Sequence, residues 1–397
     1  MATIITTSST AISGTIMSDL TNAKDLQPNP ALVVTADHQI KLETAPINDP
    51  GPDDVLLHVR ATGICGSDIH FWRHGKIGEI SFDGDCILGH ESAAMVLKTG
   101  SNVKHVKNGD RVAIEPGVSC GRCFLCIDGR YNLCKDVAFS GAYPHHGTIQ
   151  RYKVHPASHV HKLPPNISFQ TAALIEPLSV ALHALRTSPI AVGTPVAVLG
   201  AGPIGLLTMA VARASGAYPI VITDVDQARL DFAREFEPHC RTYRVEKGLS
   251  PEQCAVGIRR LFEKQDWDGR ETTEYDMPQV VLECTGMESS ICTAAYTARR
   301  GGVVNVVGVS SKANVDGVPF MHMSMAEIRL LFINRYHDTW SAAVRALEGG
   351  LIDSSKLDLM VTHRFKLENA EEAMKVVGRV TKASDGKAVI KVQIVDE

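Results

Sequence analysis

Pro195-Val-Ala-Val-Leu-Gly200-Ala-Gly202-Pro203-Ile204-Gly205-Leu-Leu-Thr-Met-Ala-Val-Ala-Arg213 reads as a buried strand, a tight glycine turn and a helix. In Gly200-x-Gly202-x-x-Gly205 the first glycine makes the turn and the second lets the backbone approach a pyrophosphate at the helix N-terminus. The third lets the helix pack on the strand. The next apolar run, Pro219-Ile-Val-Ile-Thr-Asp224, ends in an acid 22 positions after Gly202. Its carboxylate is placed to accept hydrogen bonds from the adenosine ribose and to repel a 2′-phosphate, so NAD is expected rather than NADP. Two further apolar runs, Gln279 to Gly286 and Gly301 to Gly308, end in glycine turns and fit later strands of a doubly wound parallel sheet. The charged stretch between them and the fingerprint, Arg241 to Met277, reads as surface helix and loop.

Outside this unit the pattern changes. Residues 31–160 show short alternating strands, among them Val55 to Arg60, Ser92 to Leu97 and Asp110 to Ile114, separated by Gly and Pro turns. This predicts a barrel-like all-β unit. An amphipathic helix over Trp340 to Glu348 and a final strand over Ala388 to Ile394 suggest that both chain ends build this lobe. The chain of 397 residues has room for two cores. With 40 basic against 44 acidic residues it has no electrostatic footprint for nucleic acid or an anionic membrane. No apolar run reaches the length of a membrane span. Residues 1–30, rich in Ser and Thr, are expected to form a poorly ordered extension without targeting features, which predicts a cytoplasmic protein.

Four of the ten cysteines lie at Cys120, Cys123, Cys126 and Cys134. In a reducing compartment this spacing favours a metal over disulfides, and four thiolates around one tetrahedral zinc leave no open position, so the role is structural. Iron–sulfur ligation and free thiols are the competing readings. A looser set, Cys65, His90 and Glu91, offers three zinc-type ligands with a fourth position open, as a catalytic site requires. On spacing alone it remains a weak signal, because a lone Cys or His is more often a packed residue.

The order of Gly63-Ile-Cys-Gly-Ser-Asp68, Gly89-His90-Glu91, the clustered cysteines, Glu176-Pro-Leu-Ser-Val180 and the glycine turn resembles the zinc-dependent medium-chain dehydrogenases. Glu283-Cys-Thr-Gly286, Arg335-Tyr336 and Val361-Thr-His-Arg-Phe365 make it similar to their polyol branch, the sorbitol, xylitol and L-arabinitol dehydrogenases, with the fungal L-arabinitol 4-dehydrogenases nearest. The resemblance implies a fold of α/β plus β class, a GroES-like β-barrel catalytic domain with a Rossmann cofactor domain. It places the catalytic domain at residues 31–180, the NAD domain at 181–333 and the return to the catalytic domain at 334–397. It implies catalytic zinc on Cys65, His90 and Glu91 and structural zinc on the four clustered cysteines. Glu176, Arg335 and Tyr336 line the site, and Phe71, Phe139 and Ala142 fall at the substrate pocket. Pro203, Ile204, Asp224, Arg229 and the turn Val307-Gly308-Val309 join the fingerprint glycines as cofactor contacts. Departures cluster at the pocket mouth: Asn334, His337 and Asp338 around Arg335-Tyr336, and Ala142 followed by Tyr143, His145 and His146.

The implied reaction is NAD-dependent oxidation of a polyol secondary alcohol, L-arabinitol favoured, with zinc as the Lewis acid that lowers the alcohol pKa. Ser67 is expected to relay the released proton, and His70 to pack rather than act as a base. Glu176 is expected to serve the zinc-bound water or to hold Arg335. His155, His159 and His161 read as surface residues, and Met321, Met323 and Met325 as a strand-like stripe for packing or a subunit interface. A homotetramer is implied by resemblance only. Competing functions are a non-catalytic NAD sensor, which intact ligand residues disfavour, and a dehydrogenase of simple alcohols or threonine.

Overall fold

The computed structural model describes residues 26–78, 80–263, 270–310, 312–379 and 388–396. The extension expected over residues 1–30 lies outside the described residues up to residue 25, and its last part belongs to the body. Asn29 is buried, accepting from the backbone N–H of Tyr152 at 2.8 Å and donating to Gln150 at 3.2 Å.

Six parallel strands form the sheet of the nucleotide-binding half, in the order Arg241–Arg244, Ile220–Asp224, Val196–Leu199, Val280–Glu283, Val303–Val306, Arg329–Phe332. Its four central strands are buried throughout, which explains their mostly apolar sequence. The chain order reverses beside Val196–Leu199, so a crevice opens there at the carboxyl ends of the strands. Part of the stretch read as helix and loop is instead the edge strand Arg241–Arg244. It is polar because its neighbour covers only one flank, so the apolar signal of a central strand is missing.

In the second half, the strand Asp54–Gly63 pairs with Glu91–Thr99, with Tyr152–Pro156 and with the C-terminal strand Lys391–Val395. The helix Ile175–Arg186 runs unbroken across residue 180 and packs between the two halves, with Ile175, Leu178 and Ala181 in one core with Val198 and Leu206. Both chain ends do meet in this lobe. Gln393 pairs with Gly63, and Gly63 with Glu91, which sets the last strand against the candidate metal ligands.

Two further local expectations are corrected. The methionine stripe is a helix, Phe320–Met325, with Met323 buried while Met321 and Met325 are exposed. A strand would put all three on one face, whereas in a helix residues two apart lie on opposite sides, so Met323 faces the core and its two neighbours face outward. The three histidines are not surface residues as a group. His155 is buried and bonded to the Glu115 carbonyl at 2.9 Å. His161 pairs with the Glu115 carboxylate at 2.7 Å and stacks on Trp340 at 5.0 Å.

Asp396 closes the lobe by accepting from Arg151 at 2.7 Å and contacting His58 at 2.9 Å. Burial raises the Asp396 pKa, but His58 and Arg151 outweigh it and hold the carboxyl down at about 2. Its stabilisation is therefore present above the unfolded pKa of about 4 and lost as pH falls towards 2, amounting to about 2 kcal/mol. Burial also pushes His155 down to about 3, so the unfolded chain takes up the extra proton below about 6.5 and acid again favours unfolding. We expect Asp396→Asn to lower the melting temperature at pH 7 and to flatten the loss of stability between pH 4 and 2, as measured by calorimetry.

Candidate active site

Cys65 stands at the start of the helix Gly66–His74, with its backbone N–H bonded to Asp68 at 2.9 Å. His90 and Glu91 follow the turn at Gly89, whose φ of 96° requires glycine. The ligand atoms of Cys65, His90 and Glu91 lie within 4.8 Å of one another. Asp68, fully buried, accepts from the Gly89 N–H at 3.3 Å and faces His90 Nδ1 at 3.5 Å. It thereby orients the ring with Nε2 towards Ser67 Oγ, 3.3 Å away. With Nδ1 turned to Asp68, the imidazole keeps its other nitrogen for a cation shared with the Cys65 thiol and the Glu91 carboxylate, a donor set that suits zinc.

Lys391 is the residue that sequence reasoning missed. Its ammonium is buried from the last strand and paired with the Glu91 carboxylate. Burial lowers its pKa, but Glu91 and Cys65 outweigh this and keep it charged. Gly63 makes room for the pair, since a Cβ there would meet Glu91 Oε2 at 2.1 Å and Lys391 Cε at 3.0 Å. The available signal was a lone charge in the mostly apolar run Val389 to Ile394, where an uncompensated charge is costly.

Glu176 lies buried beside this cluster. Burial and Glu91 push its carboxyl up to about 7 against the opposing pull of His90. Tyr336 faces it, also buried, with its pKa raised first by burial and then by Glu176. Arg335 lies over the Phe139 ring at 3.9 Å and, among the described residues, makes no ion pair with Glu176. Arg335 thus stacks on Phe139 instead of forming a salt bridge with Glu176, although the Glu176 charge still acts on its guanidinium. Phe139 also borders the His90 ring at 5.5 Å. Phe71 stacks on Phe82 at 4.5 Å in the same apolar cluster that contains Ala142.

The four clustered cysteines are unbridged, with Sγ separations of 3.4 Å for Cys123–Cys126 and 4.0 Å for Cys120–Cys126. Sulfurs about 2.3 Å from a tetrahedral zinc stand about 3.8 Å apart, so the group fits that ion. Backbone N–H groups of Arg122 and Cys123 pull the Cys120 thiol down to about 6, towards the thiolate a metal needs.

At the glycine turn, Gly200 adopts φ of 103°, and a Cβ on Gly205 would lie 1.8 Å from the Gly200 carbonyl. Gly202 is different: a Cβ there meets only Arg229, 3.9 Å away, leaving the start of the helix Pro203–Ala214 open to a ligand. Asp224 ends its strand with Oδ2 accepting from the Ala201 N–H at 2.9 Å and Arg229 3.8 Å distant. Both line a cleft of about 970 Å³. Ile204 follows Pro203 in the first helical turn, and the amides of Val307 and Gly308 bond the Glu283 carbonyl at 2.7 and 2.9 Å, with Val309 exposed beyond them. Glu283 itself is fully buried and fixes the Thr285–Gly286 turn through both backbone amides.

A family profile described as "Alcohol dehydrogenase GroES-like domain" matches residues 51–165, and one described as "Zinc-binding dehydrogenase" matches residues 203–349. The L-arabinitol 4-dehydrogenase of Penicillium rubens is 46% identical over 86% of this chain and 85% of its own. The sorbitol dehydrogenase of Gallus gallus is 38% identical over 88% of this chain and 94% of its own. Among solved structures, the L-idonate 5-dehydrogenase of Escherichia coli superposes with a TM-score of 0.76 at 27% identity, over 93% of this chain and 99% of that one.

Proposed function

Because the chain belongs to the zinc-binding dehydrogenases, in the branch that holds the L-arabinitol 4-dehydrogenases and sorbitol dehydrogenases, we propose that it oxidises a secondary hydroxyl of a polyol to the ketose with NAD, L-arabinitol being favoured. The carrying observation is the convergence of Cys65, His90 and Glu91 beside Glu176, Arg335 and Tyr336. When bound at the first three, zinc supplies the Lewis acidity that makes the alcohol proton labile near neutral pH. The chain does the rest. Asp68 keeps His90 in the ligating tautomer, and Ser67, half-buried beside His90, passes the released proton outward. Arg335, Tyr336 and Glu176 offer hydrogen-bonding groups to the remaining hydroxyls, which a monohydric alcohol would leave unmatched. Hydride leaves the same carbon for the nicotinamide, so one alcohol yields one ketone, one NADH and one proton.

Initial rates on L-arabinitol, xylitol, D-sorbitol and ethanol test this, with the pentitols expected fastest. Zinc- and NAD-loaded protein inert towards every polyol would sink the reading. For the cofactor, Asp224→Ser removes the acceptor for the ribose hydroxyls. With charge-assisted bonds contributing about 1.5–3 kcal/mol each, KM for NAD should rise about 10²-fold while NADP becomes usable. An unchanged NAD/NADP ratio would reassign Asp224 to the turn alone.

Among the described residues no helix is long and apolar enough to cross a membrane. A cytoplasmic setting agrees with ten unbridged cysteines, and fractionation tests it. The sheet edge Arg329–Phe332, open among the described residues and flanked by exposed Phe320, Met321 and Met325, supports self-association, and light scattering tests whether it yields the four-chain assembly that the resemblance implies.

A further inference from the structure

The loop 334–338 carries Arg335 and Tyr336, and two of its residues, Arg335 and Asp338, have φ of 55° and 50°, which side chains rarely adopt. Such a loop keeps its shape only if its surroundings hold it. Arg186 holds one side of it by donating to the Asp338 carbonyl, and the four-cysteine lobe grips the other. Between Cys126 and Cys134, the short turn Tyr131–Leu133 presents two polar side chains to the loop. Asn132, buried, donates to the Asn334 carbonyl at 2.7 Å. The Tyr131 hydroxyl accepts from the Asp338 N–H at 2.8 Å and donates to Glu115 at 2.9 Å. The other Glu115 oxygen takes His161 at 2.7 Å, and that ring stacks on Trp340, at the start of the helix that follows the loop. The loop is thus clamped at both ends, at 334 and at 338, and the two residues facing Phe139 and Glu176 stand between the clamps.

We propose that Tyr131 and Asn132 are positioning residues for polyol binding, so that the cysteine lobe sets the geometry of Arg335 and Tyr336 as well as bracing the fold. This rests on the reading that places those two residues at the substrate. Among the described residues the hydrogen bonds of the Tyr131 and Asn132 side chains go to Glu115 and to the loop, and none goes to Cys65, His90 or Glu91, so their contribution falls on the affinity for the hydroxylated substrate. Breaking a clamp frees a strained loop and spreads Arg335 over several positions, which weakens ground-state and transition-state contacts alike. That pattern raises KM and leaves kcat nearly unchanged.

The test uses full-length, zinc-loaded enzyme carrying Tyr131→Phe, Asn132→Ala or both, beside Arg335→Ala. Measured are kcat and KM for the pentitol, KM for NAD, and amide hydrogen exchange over 334–338. Each clamp variant is expected to raise the pentitol KM about fivefold, the double variant more, with kcat and the NAD KM within about twofold. Exchange at the Asp338 amide should accelerate in Tyr131→Phe, which keeps the ring and its packing. If Arg335→Ala raises the pentitol KM while the double clamp variant leaves it unchanged, the positioning role is overturned and the pocket reading stands. If Arg335→Ala leaves the KM unchanged, the pocket reading fails and the positioning role with it. A fall in kcat and in both KM-derived affinities together, tracking lost thermal stability, would also overturn it, since that is the mark of a merely structural part.

Discussion

Cys65→Ser is expected to cut pentitol oxidation by about 10³-fold or more, while the protein stays folded and retains the ion of the cysteine lobe. A thiolate is a far better zinc ligand than a neutral hydroxyl, and the Lewis acid it helps to hold contributes several kcal/mol to the barrier, with each 1.4 kcal/mol worth about tenfold. The two sites are separable because Cys120, Cys123, Cys126 and Cys134 form their own cluster on a local loop, whereas Cys65 is joined to His90 and Glu91. Metal analysis should therefore show a loss of about one zinc per chain relative to the parent. Full activity in the variant, or loss of both ions, would contradict the assignment of the ligands.

Lys391→Met should produce the largest change in stability. The substitution keeps the length of the side chain and removes the one cation paired with Glu91, at a position where both side chains are almost wholly excluded from water. Removing one partner of a buried pair typically destabilises by about 3–5 kcal/mol, because the remaining charge is left uncompensated. The melting temperature is expected to fall by roughly 10 °C in chelator-stripped protein, and by less when zinc is loaded, because the ion then takes over part of the compensation for Glu91. Lys391→Arg should recover little, since the planar guanidinium fork does not reproduce a compact ammonium at a site this deeply buried. Equal melting curves for Lys391→Met and the parent would show that the ammonium does not balance Glu91.

These two residues mark the limits of what the primary structure reveals. The nucleotide half was legible because its signals are local. The turn Gly200 to Gly205 needs a left-handed first residue, an open second and a close third glycine, and those demands sit within six consecutive positions. The helix Trp340–Glu348 and the cysteine lobe were legible for the same reason, one through helical periodicity and the other through spacing that lets a short loop wrap one ion. The edge strand Arg241–Arg244, the helix Phe320–Met325 and the histidines around Glu115 were not, because each owes its conformation or its burial to partners from other segments.

By itself, then, the sequence determined the parallel-sheet fold around the glycine turn, the acid that closes its second strand and the self-contained cysteine cluster, since adjacent residues meet those requirements without help. Tertiary structure decided the rest of the chemistry. It brought Lys391 to Glu91 across 300 positions by pairing the last strand with Asp54–Gly63. It turned Arg335 onto Phe139, buried Glu176 beside Tyr336, and set the cysteine lobe against the loop 334–338. Buried charges and strained backbone hold their places only through such distant partners, which no local pattern encodes.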